Sequence, residues 1–134
     1  MSISRKKIVM ILIMLFLLLA SIFGTAYIDR VGEYKRAVKE TTIEEVNISD
    51  IPDGVYIWEY DVNFIYAKVE VTVQNGEITD IIILEHRHEH GKAAETVINE
   101  IVDEQRIDVD AVSGATNSSI VIKKAVENAL KSGL

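Results

Sequence analysis

Phe64-Ile65-Tyr66-Ala67-Lys68-Val69-Glu70-Val71-Thr72-Val73 alternates apolar and polar side chains with a period of two. Ile65, Ala67, Val69, Val71 and Val73 share one face, and Tyr66, Lys68, Glu70 and Thr72 share the other. That alternation predicts a strand with one buried face. Asn75-Gly76 follows, a dipeptide that tolerates positive φ at both central positions of a two-residue hairpin. The return strand is predicted over Glu77–Glu85. Its Ile78, Ile82 and Leu84 fall on one face and Ile81 and Ile83 on the other, which predicts cover on both sides.

Upstream, Val55–Tyr60 is rich in aromatic and β-branched residues and reads as another strand. Tyr56, Trp58 and Tyr60 share a face that either packs against a helix or the hairpin, the commoner role, or stacks on a planar ligand. Pro52-Asp53-Gly54 is a turn that opens the domain. Downstream, His86-Arg87-His88-Glu89-His90-Gly91 is a polar turn. Lys92–Gln105 then places Ala93, Ala94, Val97, Ile98, Ile101 and Val102 at three- and four-residue steps, a helical pattern. Residues 106–112 form a connector, and a last helix runs from about Ser118 to Lys131. Strands followed by helices predict an α+β domain, a small antiparallel sheet with two helices packed on it.

Between connector and last helix lies Asp110-Ala111-Val112-Ser113-Gly114-Ala115-Thr116-Asn117-Ser118-Ser119. Small hydroxylated residues before an apolar-patterned run mark a helix N-terminus. The first N–H groups there lack partners and the dipole is positive, so a phosphate is favoured. Gly114 removes the Cβ that would hold a ligand off the backbone. Ser113, Thr116 and Ser118 add hydroxyl donors. A capped helix after a tight turn is the simpler reading of any such loop.

The stretch is more specific than a cap requires. It resembles the flavinylation motif of the FMN-binding domain family, Asp-x-x-(Ser/Thr)-Gly-Ala-(Thr/Ser)-x-(Thr/Ser), matched here without a gap. That family includes flavin-bearing subunits of sodium-pumping NADH:quinone reductases and of ferredoxin:NAD oxidoreductase complexes, and small membrane-anchored or secreted proteins. The resemblance covers residues 53–131. It implies FMN as cofactor, joined through its phosphate to Ser118, with Ser113, Gly114, Ala115 and Thr116 around it. The reductase subunits mostly carry Thr at the attachment position, and serine keeps the hydroxyl. The resemblance also implies that His86, His90 and Gly91 lie near the flavin, that a separate FMN transferase makes the bond, and that the activity is flavin-dependent electron transfer within an oxidoreductase system. It names no catalytic side chain and no redox partner.

Residues 8–28 hold no charged side chain. As a helix they would span roughly 31 Å, the thickness of a bilayer's apolar core. Arg5, Lys6 and Lys7 precede them, so the positive-inside rule predicts a single-pass anchor in the cell membrane with the C-terminal domain outside the cytoplasm. A signal peptide cleaved after Ala26 is the alternative. The predicted organisation is an anchor over 1–28, a polar stalk over 29–52 and the FMN-binding domain over 53–134.

The formal net charge of the 134 residues is −7. Only Arg5, Lys6 and Lys7 of the 14 basic residues precede residue 29, so 11 basic residues there face 21 acidic ones, a net of −10. An acidic domain excludes a nucleic-acid partner, which needs a basic face. The chain has no cysteine, which excludes disulfides, thiolate zinc sites, iron–sulfur clusters and c-type haem attachment.

His86, His88 and His90 alternate, so on a strand they share a face where zinc or copper could bind. A metal-binding or sensory domain built on that turn is the runner-up function, and a cofactor-free structural module the third. A solvated turn is the simpler reading, and no metal is assigned. Lys123 and Lys124 read as a solvated helix face.

Overall fold

The computed structural model describes residues 2–88 and 91–134. Among these residues three α-helices and three strands follow in the order α1 (Arg5–Glu40), β1 (Gly54–Asp61), β2 (Tyr66–Gln74), β3 (Glu77–Arg87), α2 (Val97–Glu104) and α3 (Thr116–Lys131). The chain divides into two compact units, one up to Glu33 and one from Tyr34 onward.

The first unit is most of α1. Its apolar side chains are exposed, from Ile8 through Phe23 to Ile28. It is the one helix among the described residues long and apolar enough to cross a membrane.

The second unit is the α+β domain expected. Its sheet is antiparallel, in the order β1-β2-β3. Asn75 (φ 52°) and Gly76 (φ 75°) are both left-handed, as a two-residue hairpin turn of matching twist requires. Asp53 Oδ1 accepts the Asn75 N–H at 2.8 Å and steadies that turn. Any side chain at Gly76 would approach the Ser49 backbone to 3.2 Å.

Ala67, Val69, Val71 and Val73 of β2 all face the core, as the alternation requires. The β3 pattern resolves differently from the expectation of two covered faces. Register shifts at Lys68/Val69 and Thr72/Val73 leave Leu84 and Thr79 without partners in the ladder. Each extra residue re-phases the strand. Ile78, Ile81 and Ile83 therefore pair with Val73, Val71 and Val69 on the inner face, while Ile82 pairs with Glu70 on the outer one. Ile82 and Leu84 are each 45% exposed, so the outer face is open. The shift at Lys68/Val69 also carries His86 inward, opposite Ala67.

Helix α3 packs on β1 and β2, and α2 on β3. Val121, Ile122, Ala125, Val126, Ala129 and Leu130 form the buried stripe of α3. Complete burial of each large aliphatic side chain stabilises by about 1.5–3 kcal/mol. The first helix expected downstream of β3 is in two parts: Lys92–Thr96 is a 3₁₀ turn, and only Val97–Glu104 is α-helical. Gln105, left-handed at φ 54°, ends it and bonds both Ile78 N and Ile78 O through its amide at 2.8 Å. Tyr56 pairs with Val71, Trp58 with Val69 and Tyr60 with Ala67, so the aromatic trio does share the inner face.

Residues 34–52 are not a plain polar spacer. Helix α1 continues to Glu40, and Val38, Ile48 and Ile51 are buried in the core. The backbone between is strapped to the domain. Glu44 N–H donates to Glu127 Oε1 at 2.5 Å, and Lys124 Nζ donates to the Thr42 carbonyl at 3.0 Å. Glu45 accepts the N–H groups of Ile107 and Asp108 at 3.0 and 2.8 Å. Isolated isoleucines and valines in a charged stretch carry little periodicity, which is why the pattern alone reads as a stalk.

Candidate functional site: the N-terminus of α3

Val112-Ser113-Gly114-Ala115 is a β-turn closed by Ala115 N–H on the Val112 carbonyl at 2.9 Å. Gly114 sits at its third position with φ 80°, where a side chain is strained. Helix α3 starts directly after, two residues earlier than the pattern indicates, so Thr116, Asn117 and Ser118 form its first turn. No side chain caps the helix among the described residues. The N–H groups of that first turn are thus left for a ligand.

A cavity of about 340 Å³ opens at this helix end. Gly114, Ala115, Thr116, Asn117 and Ser118 line it on one side, with Gly91, Tyr34, Phe64 and Ile65 around them. Ser113 is exposed in the turn and is not a lining residue. Among the described residues the lining carries no charged side chain, and what these residues offer an anion is N–H dipoles and hydroxyls.

The two adjacent serines have opposite fates. Ser119 is fully buried and committed. Its hydroxyl donates to the Ala115 carbonyl at 2.8 Å and accepts the Val112 N–H at 3.0 Å, which fastens the turn to the helix. Ser118 is only 3% exposed, yet it lines the cavity, and no hydrogen bond engages its hydroxyl among the described residues. Gly91 is what leaves room for it. A Cβ built on Gly91 would lie 1.9 Å from Ser118 Oγ. Lys123 supports the approach to the turn. It is buried, and its Nζ bonds Asp108 Oδ1 and the Val109 carbonyl, both at 2.9 Å. Lys124 is tied to Glu127 at 2.5 Å as well as to Thr42. Neither lysine lies on the solvated face that sequence reading assigns them, and neither lines the cavity. Asp110 is exposed.

The histidine turn borders the same place. Gly91 N–H donates to His88 Nδ1 at 3.0 Å, which makes Nδ1 the acceptor and leaves the proton of the neutral ring on Nε2. His86 packs 4.4 Å from the His88 ring, and its side chain is 1% exposed. Among the described residues neither His86 nitrogen has a hydrogen-bond partner, although Nδ1 lies 3.6 Å from Glu95 Oε1. Burial, and then the nearby His88, hold the His86 pKa below its usual value, with Glu95 opposing them. No group of three metal-ligating side chains occurs among the described residues. His90 lies outside the described residues.

Residues 66–131 match the family model of the FMN-binding domain. The chain carries an FMN-binding domain. FMN is its cofactor, and the α3 N-terminus falls inside the matched segment. No curated protein matches the chain. The residues present fit the group: an uncapped helix N-terminus, a left-handed glycine with open space at its Cβ position, and an uncommitted hydroxyl converge on one cavity.

Sequence reading had not found Tyr34, Phe64 or Ile65, nor the bracing by Ser119 and Lys123. Tyr34 carried no signal, since a single tyrosine among charged residues has no pattern. Lys123 was recoverable in principle, because it recurs with Val126 and Leu130 on the buried stripe.

Proposed function

We propose that this protein is a membrane-anchored, extracytoplasmic electron carrier with FMN attached through its phosphate to Ser118. The observation that supports this most directly is the Ser118 hydroxyl, unbonded among the described residues, beside an uncapped helix N-terminus in an FMN-binding domain. When bound, the flavin supplies one- and two-electron redox chemistry. The N–H groups of Thr116, Asn117 and Ser118 hold the phosphate. Ser118 Oγ would exchange its proton for a bond to the flavin-side phosphorus of a flavin dinucleotide as the bond to the leaving nucleoside monophosphate breaks, a step made by a separate FMN transferase. Gly114 keeps the backbone accessible, and Thr116 adds a donor. His86 and Gly91 border the cofactor, and Ser113 flanks the turn at its solvent side. The apolar helix spans the membrane with Arg5, Lys6 and Lys7 on the cytoplasmic side. Covalent attachment suits a carrier outside the cell, where a diffusible cofactor would be lost. Its redox partner is a separate component.

The test is co-expression with an FMN transferase, followed by denaturing electrophoresis. Flavin fluorescence should travel with the parent chain and with Ser118→Thr, and should be absent from Ser118→Ala. A Ser118→Ala band as bright as the parent would sink the assignment. Protease added to intact cells should degrade the domain, and protection until lysis would reverse the orientation.

A further inference from the structure

The wall of the cavity that faces the phosphate cradle is aromatic, and it comes from outside the family-matched segment. Tyr34 stands near the C-terminal end of α1, and Phe64 in the short loop between β1 and β2. Their rings meet edge to face, with centroids 5.1 Å apart and planes at 60°. The loop that presents Phe64 is tightly held. Asn63 is left-handed at φ 76°, Asp61 Oδ1 accepts its N–H at 2.7 Å, and Val62 N–H donates to the Ile65 carbonyl at 3.0 Å. Both rings are half-buried, and both line the cavity.

We propose that Tyr34 and Phe64 form the ring-binding wall of the flavin site, with Tyr34 in contact with the isoalloxazine. The inference rests on the FMN reading above. A phosphate fixed at the first turn of α3 leaves the rest of the cofactor to fill the cavity, and its only large planar apolar part matches an aromatic wall. Tyr34 makes the contact chemically distinctive. A phenol touching an excited flavin lends it an electron and takes it back, so emission is lost with no net reaction. Phenylalanine packs alike but lacks that electron-rich ring. The end of α1 would thus be part of the cofactor site as well as the link to the apolar helix.

The experiment uses the full chain in detergent, loaded with FMN on Ser118, and reads flavin absorbance per chain and emission per flavin. The parent should emit several-fold less per flavin than free FMN. Tyr34→Phe should carry the same flavin per chain and emit several-fold more, and Tyr34→Trp should remain dark. Phe64→Leu should raise the rotational freedom of the flavin, seen as a fall in its emission anisotropy. If Tyr34→Phe keeps its flavin and its emission matches the parent, the aromatic wall is overturned while the Ser118 assignment stands. A parent chain that takes up no flavin at all overturns both.

Discussion

Two regions, the α3 N-terminus and the buried His86, lie on either side of Gly91, and among the described residues both hold uncommitted polar groups. On the α3 side these are the first-turn N–H groups and the Ser118 hydroxyl, all on residues that line the cavity. On the histidine side they are, among the described residues, the two nitrogens of His86, sealed in the interior. A donor facing a cavity keeps access to water or ligand, whereas an unpaired buried one costs roughly 1–3 kcal/mol. The first side is therefore poised to receive an anion. The second is a place where protonation, once forced, works against the fold.

The largest expected effect comes from filling the gap between them. Gly91→Ala puts a methyl 1.9 Å from Ser118 Oγ and 2.6 Å from its Cβ, so the hydroxyl must turn away and the two backbones must move apart. Most of the covalent flavin should disappear from denaturing gels while the domain still folds. Labelling equal to the parent would show that the two sides do not constrain each other.

Next is Lys123→Met, which strips the Val109 carbonyl and Asp108 of their donor beneath the motif. Stability in urea should fall by about 1–3 kcal/mol. A neutral result would mean that the approach to the turn is held by backbone packing alone. Ser119→Ala should be milder, about 1 kcal/mol for the lost hydroxyl bonds, with flavin attachment retained. Loss of attachment there and not at Ser118 would exchange the roles of the two serines.

The smallest effect belongs to the histidine side and depends on pH. His86 has a folded pKa held below the unfolded value near 6.5. The unfolded chain then binds more protons between the two values, so stability is complete above the unfolded value and declines as pH falls through the folded one. Thermal melts of the parent from pH 7.5 to 4.5 should show that decline, and His86→Leu should flatten it. An unchanged slope would assign the acid sensitivity to carboxylates instead.

Much of this was readable without coordinates, for local reasons. The period-two run over 65–73 and the Asn75-Gly76 turn specify a hairpin through side-chain alternation and backbone sterics alone, and both occur as read. The helical pattern over 92–105 was right about Ala94, Val97 and Ile101, which are buried, and wrong about the exposed Ala93 and the first turn, because apolar spacing does not distinguish a 3₁₀ turn from an α-helical one. The outer face of β3 was misjudged because bulges have no signature in an apolar run.

The sequence by itself determined the α+β architecture, the apolar helix and the phosphate-suited motif, because each depends on neighbours within a few residues. Tertiary structure alone decided that residues 34–52 pack on the domain, that among the described residues Ser119 is bound and Ser118 is not, and that Tyr34, Phe64 and Gly91 line one cavity with the motif. Those contacts join segments that lie far apart along the chain. Only the packing of α3 on the sheet brings them together, because burial of the α3 stripe sets where its first turn comes to rest.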